Sequence, residues 1–117
     1  MAADVGVVGL GVMGSAIVTR LLETGRRVRA FDVNPDAVAR ATAAGALAAS
    51  SPREAAEHGV VILSLPNAPI VEAAAFGPDG AASEGASTLV IDMSSIDPGA
   101  TARFAERAAS AGHDWVD

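Results

Sequence analysis

The feature that most constrains this chain is a glycine-rich hexapeptide, Gly9-Leu10-Gly11-Val12-Met13-Gly14. It directly follows the apolar run Val5-Gly6-Val7-Val8 and directly precedes a stretch with helical periodicity. In a turn from strand to helix, the first glycine permits the tight turn and the second lets the backbone approach a pyrophosphate. The third lets helix and strand pack closely, so that the N–H groups that begin the helix face the phosphates. The hexapeptide therefore predicts a phosphate site at such a turn.

An acidic residue about 20 positions further on completes this pattern. Asp32 takes that place, because it closes the second predicted strand, Arg27-Val28-Arg29-Ala30-Phe31. A carboxylate there accepts hydrogen bonds from a ribose 2′-hydroxyl and repels a 2′-phosphate. Arg26, Arg27 and Arg29 precede Asp32, so we do not expect them to reach a phosphate at that point. The two features together predict a dinucleotide site that takes NAD, with NADP the less favoured cofactor.

Strand and helix patterns alternate along the whole chain, which is typical of a parallel sheet with helical crossovers. The fold class predicted is α/β, a Rossmann-type doubly wound parallel sheet of about six strands with flanking helices. The strands are expected at 4–8, 27–32, 46–49, 60–65, 88–92 and 113–117, and the helices at 13–24, 35–44, 52–58, 70–76 and 98–111. A loop is expected over residues 77–87.

Composition narrows the possible functions. A net charge of −6 argues against nucleic acid or an anionic membrane as a partner. No apolar stretch reaches the ~18 residues of a membrane span, and the first residues lack a signal-peptide layout, so we expect one cytoplasmic domain over residues 1–117. There is no cysteine, and no histidine or carboxylate cluster has the spacing of metal ligands. His58 and His113 are expected to be solvated or to lie at helix ends, outside any catalytic role.

Four stretches of the chain together resemble the β-hydroxyacid dehydrogenase family. They are the hexapeptide with Met13 before its third glycine, then Phe31-Asp32-Val33-Asn34-Pro35, Leu65-Pro66, and Asp92-Met93-Ser94-Ser95-Ile96-Asp97-Pro98. This family includes 3-hydroxyisobutyrate dehydrogenase, tartronate semialdehyde reductase and, more distantly, 6-phosphogluconate dehydrogenase. The resemblance extends over the whole chain.

The resemblance implies a role for each matching residue. It places the pyrophosphate on the hexapeptide and the adenosine ribose on Asp32. Leu65 and Pro66 would line the cofactor further along, and Ser95 would reach the nicotinamide. Ser94 would help to hold the carboxylate of a small β-hydroxy acid. On their residue types alone, both serines could equally be ordinary turn residues.

The resemblance also implies what lies outside this chain. In the family a helical domain follows, carries the catalytic lysine and forms homo-oligomers, and it would cover the edge around Trp115. All eight basic residues here are arginines, so we expect no catalytic residue within residues 1–117 and cofactor binding without turnover. The alternatives are a non-catalytic nucleotide-binding module and an imine reductase-like cofactor domain. Imine reductases tend to have Asn-Arg-Thr in place of Asp32-Val33-Asn34, which argues against the second alternative.

Overall fold

The computed structural model describes residues 4–83 and 87–117, in which six strands alternate with five helices. The strands are β1 (Asp4–Val8), β2 (Arg27–Phe31), β3 (Leu47–Ala48), β4 (Val60–Leu63), β5 (Leu89–Asp92) and β6 (Asp114–Val116). The helices are α1 (Val12–Glu23), α2 (Pro35–Ala43), α3 (Pro52–Ala55), α4 (Ala68–Phe76) and α5 (Pro98–Ser110). The predicted succession of elements is confirmed, with shifts of a few residues at their ends.

All strand pairs are parallel, and the sheet order is β3-β2-β1-β4-β5-β6. From β1 the chain adds β2 and β3 on one side, so that β3 forms one edge of the sheet. It then crosses back and adds β4, β5 and β6 on the other side of β1, so that β6 forms the other edge. This is the doubly wound Rossmann arrangement, so the predicted fold class is confirmed. The order in which strands are added switches sides between β1 and β4. In such sheets, ligands bind at this point, outside the carboxyl ends of the strands.

The core consists of two apolar layers, one on each face of the sheet. Val7 belongs to the layer under α1 and α2, whereas Val8 belongs to the layer under α4 and α5, because successive side chains of a strand point to opposite faces. Many of the contacts are made by alanine and glycine. A Cβ atom at Gly6 would overlap the carbonyl oxygen of Ala55, so α3 lies directly against the backbone of β1.

Four of the five helices in the described part of the chain start with a side-chain cap. Asn34, Ser51, Asn67 and Asp97 each accept a hydrogen bond from a backbone N–H of the first turn, and each of these helices has proline in its first two positions. Helix α1 has Gly11 as its N-cap residue and therefore has no side-chain cap. Its first N–H groups are therefore left for another partner.

Several predicted boundaries differ from the structure. Helix α4 begins at Ala68, two residues earlier than expected, because Asn67 caps it and Pro69 lies within its first turn. The strand β4 ends at Leu63, two residues earlier than expected, because the N–H of Leu65 donates to the hydroxyl of Ser94 and not to a strand. Helix α3 is a single turn that ends at Ala55, before His58. Within the expected loop, turns occupy residues 78–79 and 81–82, while residues 84–86 lie outside the described residues.

His113 lies at a helix end, as one alternative of the prediction had it, because its N–H donates to the carbonyl oxygen of Ala108 in the last turn of α5. The other alternative, a solvated ring, was wrong. The side chain of His113 is buried, its Nδ1 accepts a hydrogen bond from the N–H of Thr88 at 3.0 Å, and its Nε2 lies 3.0 Å from the carbonyl oxygen of Ser83. This pattern requires a neutral ring with the proton on Nε2. His58 is half-exposed, as expected, and lies 3.3 Å from Asp4 at the amino end of the sheet.

The edge at β6 is partly covered by the domain's own side chains. Trp115 is half-buried and stacks on Phe76 with ring centroids 5.8 Å apart, and Phe104 lies 5.9 Å from the same ring. The expected open surface around Trp115 is therefore reduced, with Val116 half-exposed beside it. No helix formed by residues 4–83 and 87–117 is long and apolar enough to cross a membrane.

Candidate dinucleotide-binding site

A cleft of about 760 Å³ lies at the carboxyl ends of the strands, within the volume range of small-molecule and cofactor sites. The glycine loop, the end of β2, the segment after β4 and the segment after β5 all contribute to its lining. Nine of the eleven predicted site residues line it: Gly9, Gly11, Val12, Met13, Asp32, Leu65, Pro66, Ser94 and Ser95. The other two, Leu10 and Gly14, are buried beside the lining.

The three glycines of the loop have different roles. Gly9 has a φ of +98°, and a Cβ atom there would overlap the carbonyl oxygen of Ser64. A Cβ atom at Gly14 would overlap the carbonyl oxygen of Gly9. At Gly11 an added Cβ atom would meet nothing within 4 Å. Gly9 and Gly14 are thus required by the fold itself, whereas Gly11 keeps open a space on the cleft side.

The start of α1 gives this part of the cleft its electrostatic character. The first intrahelical hydrogen bond runs from the N–H of Ser15 to the carbonyl oxygen of Gly11 at 2.9 Å, and the first turn has no acidic residue. The N–H groups before Ser15 have no intrahelical acceptor, and the helix dipole adds partial positive charge. An anion such as a phosphate is the complementary partner for this position.

Asp32 lies immediately after β2 at the edge of the cleft. Its Oδ2 accepts a hydrogen bond from the N–H of Leu10 at 2.7 Å, and its Oδ1 accepts one from the N–H of Asn34 at 2.9 Å. A carboxylate has about four acceptor positions, so both oxygens can still accept bonds from hydroxyl groups of a ligand. Asp32 is the one charged residue among the described residues that line the cleft.

The arginines of β2 point to the opposite end of the sheet. Arg27 lies 2.7 Å and Arg29 lies 3.8 Å from the carboxylate of Asp4, at the amino end of β1. Next to Asp32 on the cleft side is Val33, which is 90% exposed. No cation in the lining therefore balances the charge of Asp32.

The two serines after β5 have different surroundings. The hydroxyl of Ser94 accepts a hydrogen bond from the N–H of Leu65 at 2.8 Å. The backbone N–H of Ser94 donates to Oδ1 of Asp92 at 2.9 Å. Ser95 is exposed in the lining. Ser94 is thus a structural link between two segments and also part of the cleft.

The apolar wall of the cleft was not predicted from the sequence. The lining includes these further residues: Phe31, Pro52, Ile70, Ala73, Ala74 and Met93. Ile70 and Met93 are 42% and 49% exposed, and an apolar residue on the exposed start of a helix or just after a strand is a signal that could have identified them. No group of three His, Cys, Asp or Glu side chains in the described part of the chain is placed to hold a metal ion.

Comparison with known proteins places this architecture in a family. Residues 4–117 match the family described as the NAD binding domain of 6-phosphogluconate dehydrogenase. The 2-(hydroxymethyl)glutarate dehydrogenase of Eubacterium barkeri is 42% identical over 115 residues, which cover 97% of this chain and 38% of that protein.

Solved structures agree with this assignment. The 3-hydroxyisobutyrate dehydrogenase of Mycobacterium tuberculosis, solved with L-serine, superposes with a TM-score of 0.88 at 33% identity, over 98% of this chain and 39% of that one. The imine reductase of Streptomyces aurantiacus has a TM-score of 0.84 at 28% identity, over 96% and 39%. The chain therefore spans about two fifths of the length of these proteins. It belongs to the NAD-binding domain family of 6-phosphogluconate dehydrogenase and the related hydroxyacid dehydrogenases.

Proposed function

We propose that this domain binds NAD in the cleft and that it serves a protein that oxidises a small β-hydroxy acid such as 3-hydroxyisobutyrate. The observation that carries the proposal is the uncapped start of α1, which opens onto the space kept free at Gly11. A pyrophosphate fits this position because it needs both a close backbone approach and unpaired N–H donors.

The remaining residues of the cleft fit the rest of the dinucleotide. Asp32 would accept hydrogen bonds from the hydroxyls of the adenosine ribose, and Leu65 and Pro66 would lie along the cofactor. Ser94 and Ser95 would lie at its nicotinamide end. When bound there, the nicotinamide supplies the hydride acceptor of the oxidation. The apolar wall would exclude water from that end of the cleft.

The charges in the cleft favour NAD over NADP. Asp32 would repel a 2′-phosphate, and the neighbouring Val33 offers no cation to offset that repulsion. The arginines nearest in sequence are engaged at the far end of the sheet. The preference therefore follows from a carboxylate that has no cation beside it in the cleft.

The substrate class is supported by the relatives and by Ser94. The relatives reported above include two hydroxyacid dehydrogenases, and a serine hydroxyl at the nicotinamide end suits a substrate carboxylate. This chain has no lysine, so we propose that the proton-transferring lysine comes from a further helical domain of the whole protein. That domain would also hold copies of the protein together in a homo-oligomer.

Titration of NAD, NADP and ADP-ribose onto the purified chain by isothermal calorimetry tests the proposal. We expect saturable one-to-one binding of NAD and ADP-ribose, and weaker binding of NADP. Absence of NAD binding by a folded chain would refute the site. Equal or tighter binding of NADP would refute the preference but not the site.

A further inference from the structure

The segment after β5 contains a buried acidic group that has no part in the proposed contacts with the dinucleotide. Asp92 is the last residue of β5 and is 3% exposed. Its Oδ1 accepts the N–H of Ser94 at 2.9 Å, while its Oδ2 has no hydrogen-bond partner in the described part of the chain. A buried, unpartnered carboxylate oxygen costs stability. The side chain of Asp92 therefore acts on the segment after β5 through its other oxygen, Oδ1, which accepts the N–H of Ser94.

Asp92 begins a series of contacts that runs along the carboxyl ends of β5, β4 and β1. It holds the backbone of Ser94, whose hydroxyl accepts the N–H of Leu65 at 2.8 Å. The side chain of Leu65 in turn packs against Gly9, since a Cβ atom at Gly9 would lie 2.9 Å from Cδ2 of Leu65. The position of Ser94 is thus determined by two hydrogen bonds, one to the carboxylate of Asp92 and one from the N–H of Leu65.

These contacts determine what Ser94 can offer a ligand. A serine hydroxyl has one proton and two acceptor lone pairs. Because the N–H of Leu65 occupies the acceptor side, the hydroxyl proton is directed away from that N–H. Ser94 lines the cleft, so this proton is available to a ligand there. A group with an acceptor oxygen can therefore take this proton, while one lone pair of the hydroxyl is left over.

We propose that Asp92 is a positioning residue for the nicotinamide end of the cleft. It acts through Ser94, by holding that hydroxyl as a hydrogen-bond donor toward a carbonyl or carboxylate oxygen of the bound group. This inference rests on the proposed function. The oxygen could belong to the carboxamide of NAD or to the carboxylate of a hydroxy acid bound beside it, and the two sources can be distinguished by experiment.

The experiment compares three ligands on four variants of the chain by calorimetry. The ligands are NAD, ADP-ribose (which lacks the nicotinamide), and 3-hydroxyisobutyrate added to the NAD-saturated chain. The variants are Asp92→Ala, Asp92→Asn, Ser94→Ala and, as a control on the last turn of α5, Ser110→Ala. Asparagine keeps an acceptor oxygen for the N–H of Ser94, so Asp92→Asn should retain the hydrogen bond that Asp92→Ala removes.

We expect Ser94→Ala and Asp92→Ala to weaken the binding of NAD, or of 3-hydroxyisobutyrate to the NAD-saturated chain, by about three- to tenfold, as for the loss of one hydrogen bond. ADP-ribose binding should stay within twofold of the parent. Asp92→Asn and Ser110→Ala should behave as the parent with all ligands. A loss that appears with NAD assigns the oxygen to the carboxamide, and a loss confined to the acid assigns it to the acid.

Two results would overturn the inference while leaving the proposed function intact. One is parent-like binding of every ligand by Ser94→Ala. The other is a loss of ADP-ribose binding by Asp92→Ala as large as its loss of NAD binding, which would show a general structural role. If Asp92→Ala does not fold, Ser94→Ala and Asp92→Asn still decide the question. A folded parent that binds neither NAD nor ADP-ribose would refute the proposed function together with this inference.

Discussion

Asp32 and Leu10 are joined by a hydrogen bond of 2.7 Å from the N–H of Leu10 to Oδ2 of the carboxylate. This bond ties the glycine loop to the end of β2. The residue proposed to recognise the adenosine ribose therefore also holds the loop that would take the pyrophosphate. The two halves of the proposed nucleotide recognition would thus depend on one side chain.

Replacement of Asp32 should therefore affect affinity, selectivity and stability together. Asp32→Ala removes the acceptor of two backbone N–H groups and the charge that opposes a 2′-phosphate. We expect NAD binding to weaken at least tenfold and the preference for NAD over NADP to shrink. The free energy of unfolding should fall by about 1–3 kcal/mol. Calorimetry and urea unfolding measure these effects, with the exposed Asp114→Ala as the control. An unchanged ratio of the two affinities would contradict the role of the charge.

The loop glycines should separate binding from folding. Gly11→Ala adds a methyl group where the chain has free space, so it should leave thermal stability nearly unchanged and abolish measurable NAD binding. Gly14→Ala forces a methyl group onto the carbonyl oxygen of Gly9, so it should destabilise the fold itself. Differential scanning fluorimetry with and without NAD distinguishes the two effects. Parent-like NAD affinity in Gly11→Ala would show that the phosphates bind elsewhere.

The buried histidine should matter for stability and not for binding. His113→Ala leaves the N–H of Thr88 buried without an acceptor, which should lower the free energy of unfolding by about 1–3 kcal/mol. His58→Ala removes a half-exposed ring and should cost less than about 1 kcal/mol. Urea unfolding of both variants gives the comparison. Equal losses for the two histidines would argue against the buried hydrogen bond.

The isolated chain should bind NAD without catalysing oxidation. A positioned acid or base typically contributes about 10²–10⁴-fold in rate, and this chain has no lysine to supply that group. We expect no rise in NADH absorbance when chain, NAD and β-hydroxy acids are mixed at alkaline pH. Saturable turnover would show that a base exists among residues 1–117. A 3-hydroxyisobutyrate dehydrogenase of the family, assayed under the same conditions, is the positive control.

The fold could be predicted from the sequence because its signals are local and periodic. The hexapeptide, the capping residues Asn34 and Asp97, and the apolar strand at β4 each act over a few neighbouring positions. The position of Asp32 at the cleft followed from its place at the end of β2. In each case the residue type reports a local condition, such as a tight turn, a helix start or a buried strand.

Contacts between distant segments could not be predicted in this way. Nothing in the sequence around His113 indicates that its ring accepts the N–H of Thr88, which is 25 residues away. The bond between Ser94 and Leu65 spans 29 residues and ends β4 earlier than its apolar run suggests. Such pairs depend on how the crossovers pack, and that is set by the whole sheet.

The uncapped start of α1 makes the stability of this domain depend on the supply of its ligand. A side-chain cap is typically worth about 1 kcal/mol to a helix, and α1 has none. A ligand present at 100 times its dissociation constant adds about 2.7 kcal/mol to the free energy of unfolding. Under the proposed function, the resistance of the domain to heat and proteolysis would rise with the logarithm of the NAD concentration above its dissociation constant, so the domain would be least stable where that nucleotide is scarce.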